Sequence, residues 1–308
     1  MQIVILKPKN QFRKEDLKRL GELDVHFYEE RVKLEEIKEL FNDNEKLLAV
    51  QPLFIEGIFE SLPIEKLKKI KNLKALCLAT TAFGWIDGKW LRKNNIILAN
   101  CPGKATNAVA EGAYFSMTAL LRKIPLLIQN GWKADYSYMV GEEALDLKVG
   151  IIGLGRIGER FAQICSRNGL GVSYWNRTKK KSIYKADSIK NIFKKSDVVY
   201  LSFATDKSLE GFINNRLIDS MKKSAMLISC IDNFVYDREY IIKKVQKGEL
   251  FGCAFEAEDV KTKSLKGNIF VLPDSYYFST RQTRENESKI LTETIMGVVN
   301  GKPVNVVN

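Results

Sequence analysis

Three features of the sequence predict an α/β protein made of two domains, each with a parallel sheet. Short apolar runs alternate with stretches of helical period along nearly the whole chain, the pattern of successive strand–helix units. The apolar run 147–152 leads straight into Gly153-Leu154-Gly155-Arg156-Ile157-Gly158, and a helical pattern follows to Arg167. The length, 308 residues, is enough for two separate cores. In a G-x-G-x-x-G turn between strand and helix, the first glycine permits the tight bend. The second lets the backbone approach a pyrophosphate, and the third lets helix and strand pack closely. The helix N-terminus adds free N–H groups and a partial positive charge. A dinucleotide site is therefore expected at Gly153, Gly155 and Gly158.

The elements follow in order. Strands are expected at 2–6, 24–27, 46–50, 75–79 and 96–98. Helices are expected at 13–20, at 34–41 through Leu34, Ile37, Leu40 and Phe41, and at 64–70. The loop 80–85 follows a strand's carboxyl end, where α/β sheets place ligands, so Thr81 and Ala82 are candidate substrate contacts. Residues 105–128 read as one long helix, capped at Thr106 or Asn107, that joins the domains. Residues 131–143 are irregular and aromatic, with Trp132, Tyr136 and Tyr138, and suit either a subunit contact or an ordinary loop. Further strands are expected at 148–152, 171–175, 197–203, 225–230, 250–255 and 269–272, with helices near 158–168, 188–194, 215–221 and 238–247. A last helix, 289–299, is expected to rejoin the first domain. The boundaries are thus 1–100 with 283–308 for the substrate domain and 101–282 for the dinucleotide-binding domain.

Composition narrows the class. No apolar run approaches the roughly 18 residues of a membrane span, and the start reads as a first strand and not a signal peptide. The five cysteines are widely spaced without C-x-x-C, so neither a zinc site nor a disulfide framework is indicated. A reducing cytoplasm and no metal are the expectation. The net charge of +12 comes from scattered lysines with no nucleic-acid motif, which predicts a solvated basic surface and not a nucleic-acid partner.

The second strand of the larger domain ends in Trp175-Asn176-Arg177-Thr178, followed by lysines at 179–181. Enzymes that use NAD usually carry Asp or Glu there, bonding the ribose 2′-OH. A carboxylate would repel a 2′-phosphate, whereas Arg177 and Thr178 can bind one. NADP is therefore favoured. The alternative is NAD, with Asn176 on its ribose and the lysines as surface charge.

With the turn placed, the chain resembles the D-isomer-specific 2-hydroxyacid dehydrogenase family nearly end to end. Asn107-Ala108-Val109-Ala110-Glu111 is similar to the family's V-A-E entry to its interdomain helix, and 149–158 to its V-G-I-I-G-L-G-R-I-G. Met221-Lys222 precedes an apolar strand as the family's M-K does, and Gly301-Lys302-Pro303 resembles its C-terminus. The resemblance implies a Rossmann-type domain, a smaller flavodoxin-like substrate domain and a dimer through the cofactor domain. It implies cofactor contacts at Thr106, Arg156, Ile157, Ala204, Cys230 and Glu256, the last at the acid that contacts the nicotinamide carboxamide.

It also implies hydride transfer on a 2-hydroxy or 2-oxo acid by an Arg that grips the substrate, a His that moves the proton, and a Glu that orients the His. Here the sequence departs from the family. The Arg position of N-T-A-R-G-G is Asp232, and the His position after the proline of T-P-H is Asp274. The Glu position falls near Lys261 by ungapped counting. The single histidine, His26, lies in a short strand far from the turn.

A cation on a carboxylate is worth about 1.5–3 kcal/mol per charged hydrogen bond, and an ionised Asp there repels instead. Three readings follow. The first is an NADP-dependent oxidoreductase acting on a non-standard C=O, C=N or activated C=C, with Asp232 or Asp274 supplying the proton. The second is the family's 2-oxo acid chemistry with replacement cations, Lys261, Arg281 or Arg284. The third is a catalytically inactive NAD(P)H-binding protein.

Overall fold

The structure is a computed structural model and describes residues 1–56, 62–257, 265–273 and 276–308. The chain divides into two compact units, Met1–Ala105 with Thr280–Asn308, and Thr106–Ser279. These boundaries replace the expected 100/101 and 282/283, because the crossings fall at helix starts and not at the end of strand patterning.

In the first unit, β1 (Gln2–Leu6), β2 (Val25–Tyr28), β3 (Lys46–Val50), β4 (Leu73–Leu78) and β5 (Ile97–Ala99) form a sheet of order β2-β1-β3-β4-β5, every pair parallel. This is the flavodoxin-like order. All residues of β1 and β3 are buried, as expected of central strands covered on both faces. Helices α1 (Lys14–Leu20), α2 (Ile64–Leu67) and α3 (Gly88–Lys93) connect them. The α3 helix has no apolar periodicity. Its signal is Asp87 at the N-cap, whose side chain accepts from the Trp90 N–H at 2.9 Å.

The expected helix at 34–41 is two 3₁₀ turns, Leu34–Glu36 and Lys38–Phe41. Ile37 between them is extended, with φ −86° and ψ 97°. Leu34, Ile37 and Leu40 are in the core as the spacing expects, whereas Phe41 is exposed.

The second unit opens with α4 (Thr106–Leu121) and α5 (Ile124–Gln129). The single long helix expected over 105–128 is broken. Lys123 sits in the left-handed region at φ 52°, and Pro125 occupies the first turn of α5. Pro125 has no N–H for the Leu121 carbonyl four residues earlier and its ring clashes with that carbonyl, so α4 cannot run on through it. Then follow β6 (Lys148–Ile152), α6 (Arg156–Arg167), β7 (Gly171–Trp175), β8 (Lys185–Ala186), α7 (Ile189–Lys195), β9 (Val198–Leu201), α8 (Asn215–Asp219), β10 (Met226–Ser229), α9 (Arg238–Gln246), β11 (Gly252–Glu256) and β12 (Ile269–Leu272). Their sheet runs β12-β11-β10-β9-β6-β7-β8, all parallel. The order reverses between β6 and β9, the switch point where Rossmann-type sheets take their ligand. One face is covered by α4 and α6 through Met117, Leu120, Phe161 and Cys165. The other is covered by α7, α8 and α9 through Phe193, Ile218, Ile241 and Val245.

The last helix, α10 (Arg281–Val299), packs Leu291, Ile295 and Val298 on the β1–β3–β4 face of the first unit. It starts eight residues before the expected 289 because its first two turns are polar. The Thr280 hydroxyl caps it, accepting from the Thr283 N–H at 3.1 Å.

Candidate functional site

The glycine turn sits at the carboxyl end of β6, and two of its three glycines are demanded by the protein's own packing. Gly153 has φ 97°, and a Cβ there would lie 2.5 Å from the Ser202 carbonyl oxygen. A Cβ on Gly158 would lie 2.2 Å from the Gly153 carbonyl oxygen, so the close packing of α6 on the turn requires hydrogen at that position. A Cβ on Gly155 would meet nothing within 4 Å. Its bareness is therefore not demanded by the protein itself, and it leaves room for a group from outside. Gly155 is the N-cap of α6 and has no side chain to satisfy the first-turn N–H groups. These donors, at exposed Arg156 and half-buried Ile157, and the helix dipole suit a pyrophosphate. The turn fits a dinucleotide.

The segment after β7 is laced to this turn. The Leu154 N–H donates to Asn176 Oδ1 at 3.2 Å. The Asn176 amide donates to the Thr178 carbonyl at 2.9 Å and to its hydroxyl at 3.3 Å. Lys180 donates to the Leu154 carbonyl at 2.6 Å and pairs with Glu159 at 2.9 Å. Of the three lysines, then, Lys180 is spent internally, while Lys179 and Lys181 are exposed. Arg177 and Thr178 are exposed. The Arg177 charge helps hold Asp206, on the loop after β9, below the usual carboxylate range, after the larger effects of the Ser208 side-chain and backbone hydrogen bonds.

The loops after β9, β10 and β11 form the rest of the carboxyl edge of the second unit. Ala204 is exposed on the first. Beside it the Thr205 hydroxyl donates to the Asp232 carboxylate. Asp232, in the family's Arg position, is exposed just beyond β10. Cys230 lies between them, 3.0 Å from the Tyr200 hydroxyl, and burial pushes its thiol up to about 11. Glu256 ends β11, and its carboxylate accepts the Tyr277 N–H at 2.5 Å. Tyr277 is buried, its hydroxyl 2.7 Å from Ser116 on α4 and its ring against Gly112. Thr106 is half-buried at the start of α4. Lys261 and Asp274 lie outside the described residues.

In the first unit, the Thr81 hydroxyl donates to the Cys101 carbonyl at 2.9 Å, and the Ala82 carbonyl accepts from Trp85 Nε1 at 3.1 Å. Both residues are exposed at the carboxyl end of β4. Arg281 is exposed and pairs with Glu285 one turn along α10 at 2.6 Å. His26 lies on the edge strand β2, 3.1 Å from both Gln2 and Asp24.

Sequence reading missed a buried charge cluster at the carboxyl ends of β1, β3 and β4. Lys7 donates to Glu287 of α10 at 2.6 Å and to Gln11 at 3.0 Å. Lys104 donates to the Ala79 carbonyl at 2.5 Å and to the other oxygen of Glu287. Burial pushes the Lys7 ammonium down, against the pull of Glu287. No one-dimensional pattern links residues 7, 104 and 287. Among the described residues no group of His, Cys, Asp and Glu could hold a metal ion, and no helix is long and apolar enough to cross a membrane.

A doubly wound parallel domain with this turn at its switch point defines a dinucleotide-binding protein of Rossmann type. Residues 114–272 match the family described as D-isomer specific 2-hydroxyacid dehydrogenase, NAD binding domain. The chain belongs to this family. It is 26% identical over 308 residues to a glyoxylate reductase of Thermococcus gammatolerans, with 93% of this chain and 90% of that protein covered. Among solved structures, it is similar to an acyclic imino acid reductase in complex with NADPH and D-Arg, with TM-score 0.86, 24% identity and complete coverage of both chains. It is also similar to a D-lactate dehydrogenase from Aquifex aeolicus complexed with NAD and lactic acid, with TM-score 0.80, 19% identity, and coverage of 98% and 96%.

Proposed function

We propose that this protein is an NADPH-dependent reductase of a carbon–nitrogen double bond, the iminium form above all, and not of an ordinary 2-oxo acid. The observation that carries the reading is Asp232, a carboxylate at the end of β10 where the family has an arginine. The Thr205 hydroxyl donates to it and holds it in place. A carboxylate in this position repels the carboxylate and carbonyl oxygens that an arginine would grip, and attracts a positively charged nitrogen. The bound dinucleotide supplies a hydride to the electron-poor carbon. Gly153, Gly155, Gly158 and the first turn of α6 hold its pyrophosphate, and Arg177 and Thr178 its 2′-phosphate. Reduction of an iminium leaves a neutral amine, so the step itself needs no proton donor, which suits a chain whose single histidine, His26, is on an edge strand of the first unit. The bound NADPH of the imino acid reductase is in keeping with this reading.

The test is NADPH consumption with glyoxylate or pyruvate alone and with the same acid plus methylamine, which forms the imine in place. Turnover is expected only with the amine, and Asp232→Asn is expected to slow it about tenfold or more, as loss of a charge-assisted contact of about 1.5 kcal/mol implies. Equal rates with and without amine would overturn the proposal. We further propose a homodimer through the second unit. Phe115, Ile128, Trp132, Tyr136, Tyr138 and Leu145 expose large apolar side chains along α4, α5 and the arm after them. Sedimentation of a monomer at micromolar concentration would remove that assignment.

A further inference from the structure

Leu154, the residue between the first two glycines of the turn, is gripped on both polar sides by one segment. Its N–H is taken by Asn176 and its carbonyl by Lys180. Lys180 is itself fixed at its other end, because its own carbonyl accepts the Tyr174 hydroxyl at 2.9 Å. Its ammonium is shared with Glu159 in the first turn of α6.

Two consequences follow from the donors and acceptors. The group at position 176 must accept on the side facing Leu154 and donate on the side facing Thr178. An amide does both. A carboxylate offers only acceptors, and its second oxygen would face the Thr178 carbonyl. The aspartate that takes a ribose diol in NAD enzymes is thus incompatible with this loop. Lys180, for its part, is not placed as a phosphate ligand. To reach one it would have to leave both the Leu154 carbonyl and Glu159.

We infer that Asn176 and Lys180 form a two-sided clamp on Leu154 that sets coenzyme selectivity, with Lys180 as a positioning residue that holds Arg177 and Thr178 where a 2′-phosphate is bound. The clamp ties the 2′-phosphate segment to the pyrophosphate turn, so the two halves of the cofactor site are built as one piece. Lys180 also offsets the Glu159 carboxylate, which stands at the same helix end that receives the pyrophosphate. This inference rests on the NADP reading given above.

The experiment measures dissociation constants of the whole chain for 2′,5′-ADP and for 5′-AMP, which differ only by the 2′-phosphate, by calorimetry, together with the melting temperature. Neither probe carries a nicotinamide, so activity does not enter. Wild type is expected to prefer 2′,5′-ADP. Arg177→Ala is expected to remove that preference with 5′-AMP affinity unchanged. Lys180→Met keeps the aliphatic stem and is expected to cut the preference about tenfold at an unchanged melting temperature, with Lys180→Arg restoring most of it. Glu159→Gln is expected to lower the preference partway. If wild type binds both probes equally, the NADP reading and the clamp fall together. If wild type discriminates and Lys180→Met discriminates equally well, the clamp alone is wrong. A preference that rises in Glu159→Gln would mean that the freed ammonium is a direct ligand, which also overturns the positioning role. A melting temperature that drops with both affinities would reduce Lys180 to a purely structural residue.

Discussion

The three glycines of the turn should separate into two kinds when each is replaced by alanine. At Gly155 the backbone is extended, with φ −78° and ψ −167°, and an added Cβ meets nothing within 4 Å. Alanine therefore costs nothing sterically. It gains about 0.4–1 kcal/mol by restricting the unfolded chain and loses a similar amount as a poorer N-cap than glycine. The net effect on unfolding should lie within about 0.5 kcal/mol, or roughly 2 °C in melting temperature. The same methyl occupies the space through which a pyrophosphate reaches the N–H groups of α6. NADPH affinity should fall at least about tenfold, equivalent to about 1.4 kcal/mol.

Gly158→Ala places a methyl 2.2 Å from a backbone oxygen and 3.2 Å from Ile151 Cγ2. The backbone cannot move aside without lifting α6 from β6, so the cost is about 1–3 kcal/mol in stability before any ligand is added. Thermal unfolding without cofactor, and quenching of tryptophan fluorescence by NADPH, read the two quantities separately. A Gly155→Ala variant that binds NADPH like wild type, or that melts as low as Gly158→Ala, would refute the assignment of these roles.

Two further outcomes test the packing around the site. Gly112→Ala on α4 would put a methyl 2.4 Å from the Tyr277 ring, which is held at its far end by Ser116. It should cost about 1–3 kcal/mol, read as a clear fall in calorimetric melting temperature; a wild-type melt would show that the ring has room to move. Asp16 is fully buried, with bonds from Arg13 at 2.7 and 2.9 Å and from Ser288 of α10 at 2.6 Å. Burial alone would raise its pKa, but the bonds from Arg13 and Ser288 outweigh it and hold the carboxyl below its ordinary value. Its stabilisation is therefore complete above the unfolded carboxylate pKa of about 4 and fades as pH falls through the lower folded value. Asp16→Asn should lose about 2 kcal/mol in urea unfolding at pH 7, with the gap to wild type closing toward pH 3. An equal loss at both pH values would show that the charge is not the cause.

The parts of the protein that sequence alone determined are those whose cause is local. The glycine turn is six contiguous residues between a strand and a helix, and Gly153 and Gly158 answer steric demands within the turn and its neighbouring strands. The parallel sheets follow from alternating apolar runs, because strands covered on both faces must be apolar throughout. The charge reversal at Asp232 was legible against the family motif.

Tertiary structure decided what depends on partners distant in the chain. Three adjacent lysines are equivalent as sequence; only the path after β7 assigns Lys180 to a carbonyl 26 residues earlier and leaves Lys179 and Lys181 in solvent. Lys7 meets Glu287 across 280 residues. The apolar spacing at 34–41 marked Leu34, Ile37 and Leu40 as buried, but it did not distinguish an α-helix from two 3₁₀ turns, which leave Phe41 exposed. A hydrogen bond or ion pair between such positions is set by the sheet order and the helix that crosses it, and neither is written in any local stretch of residues.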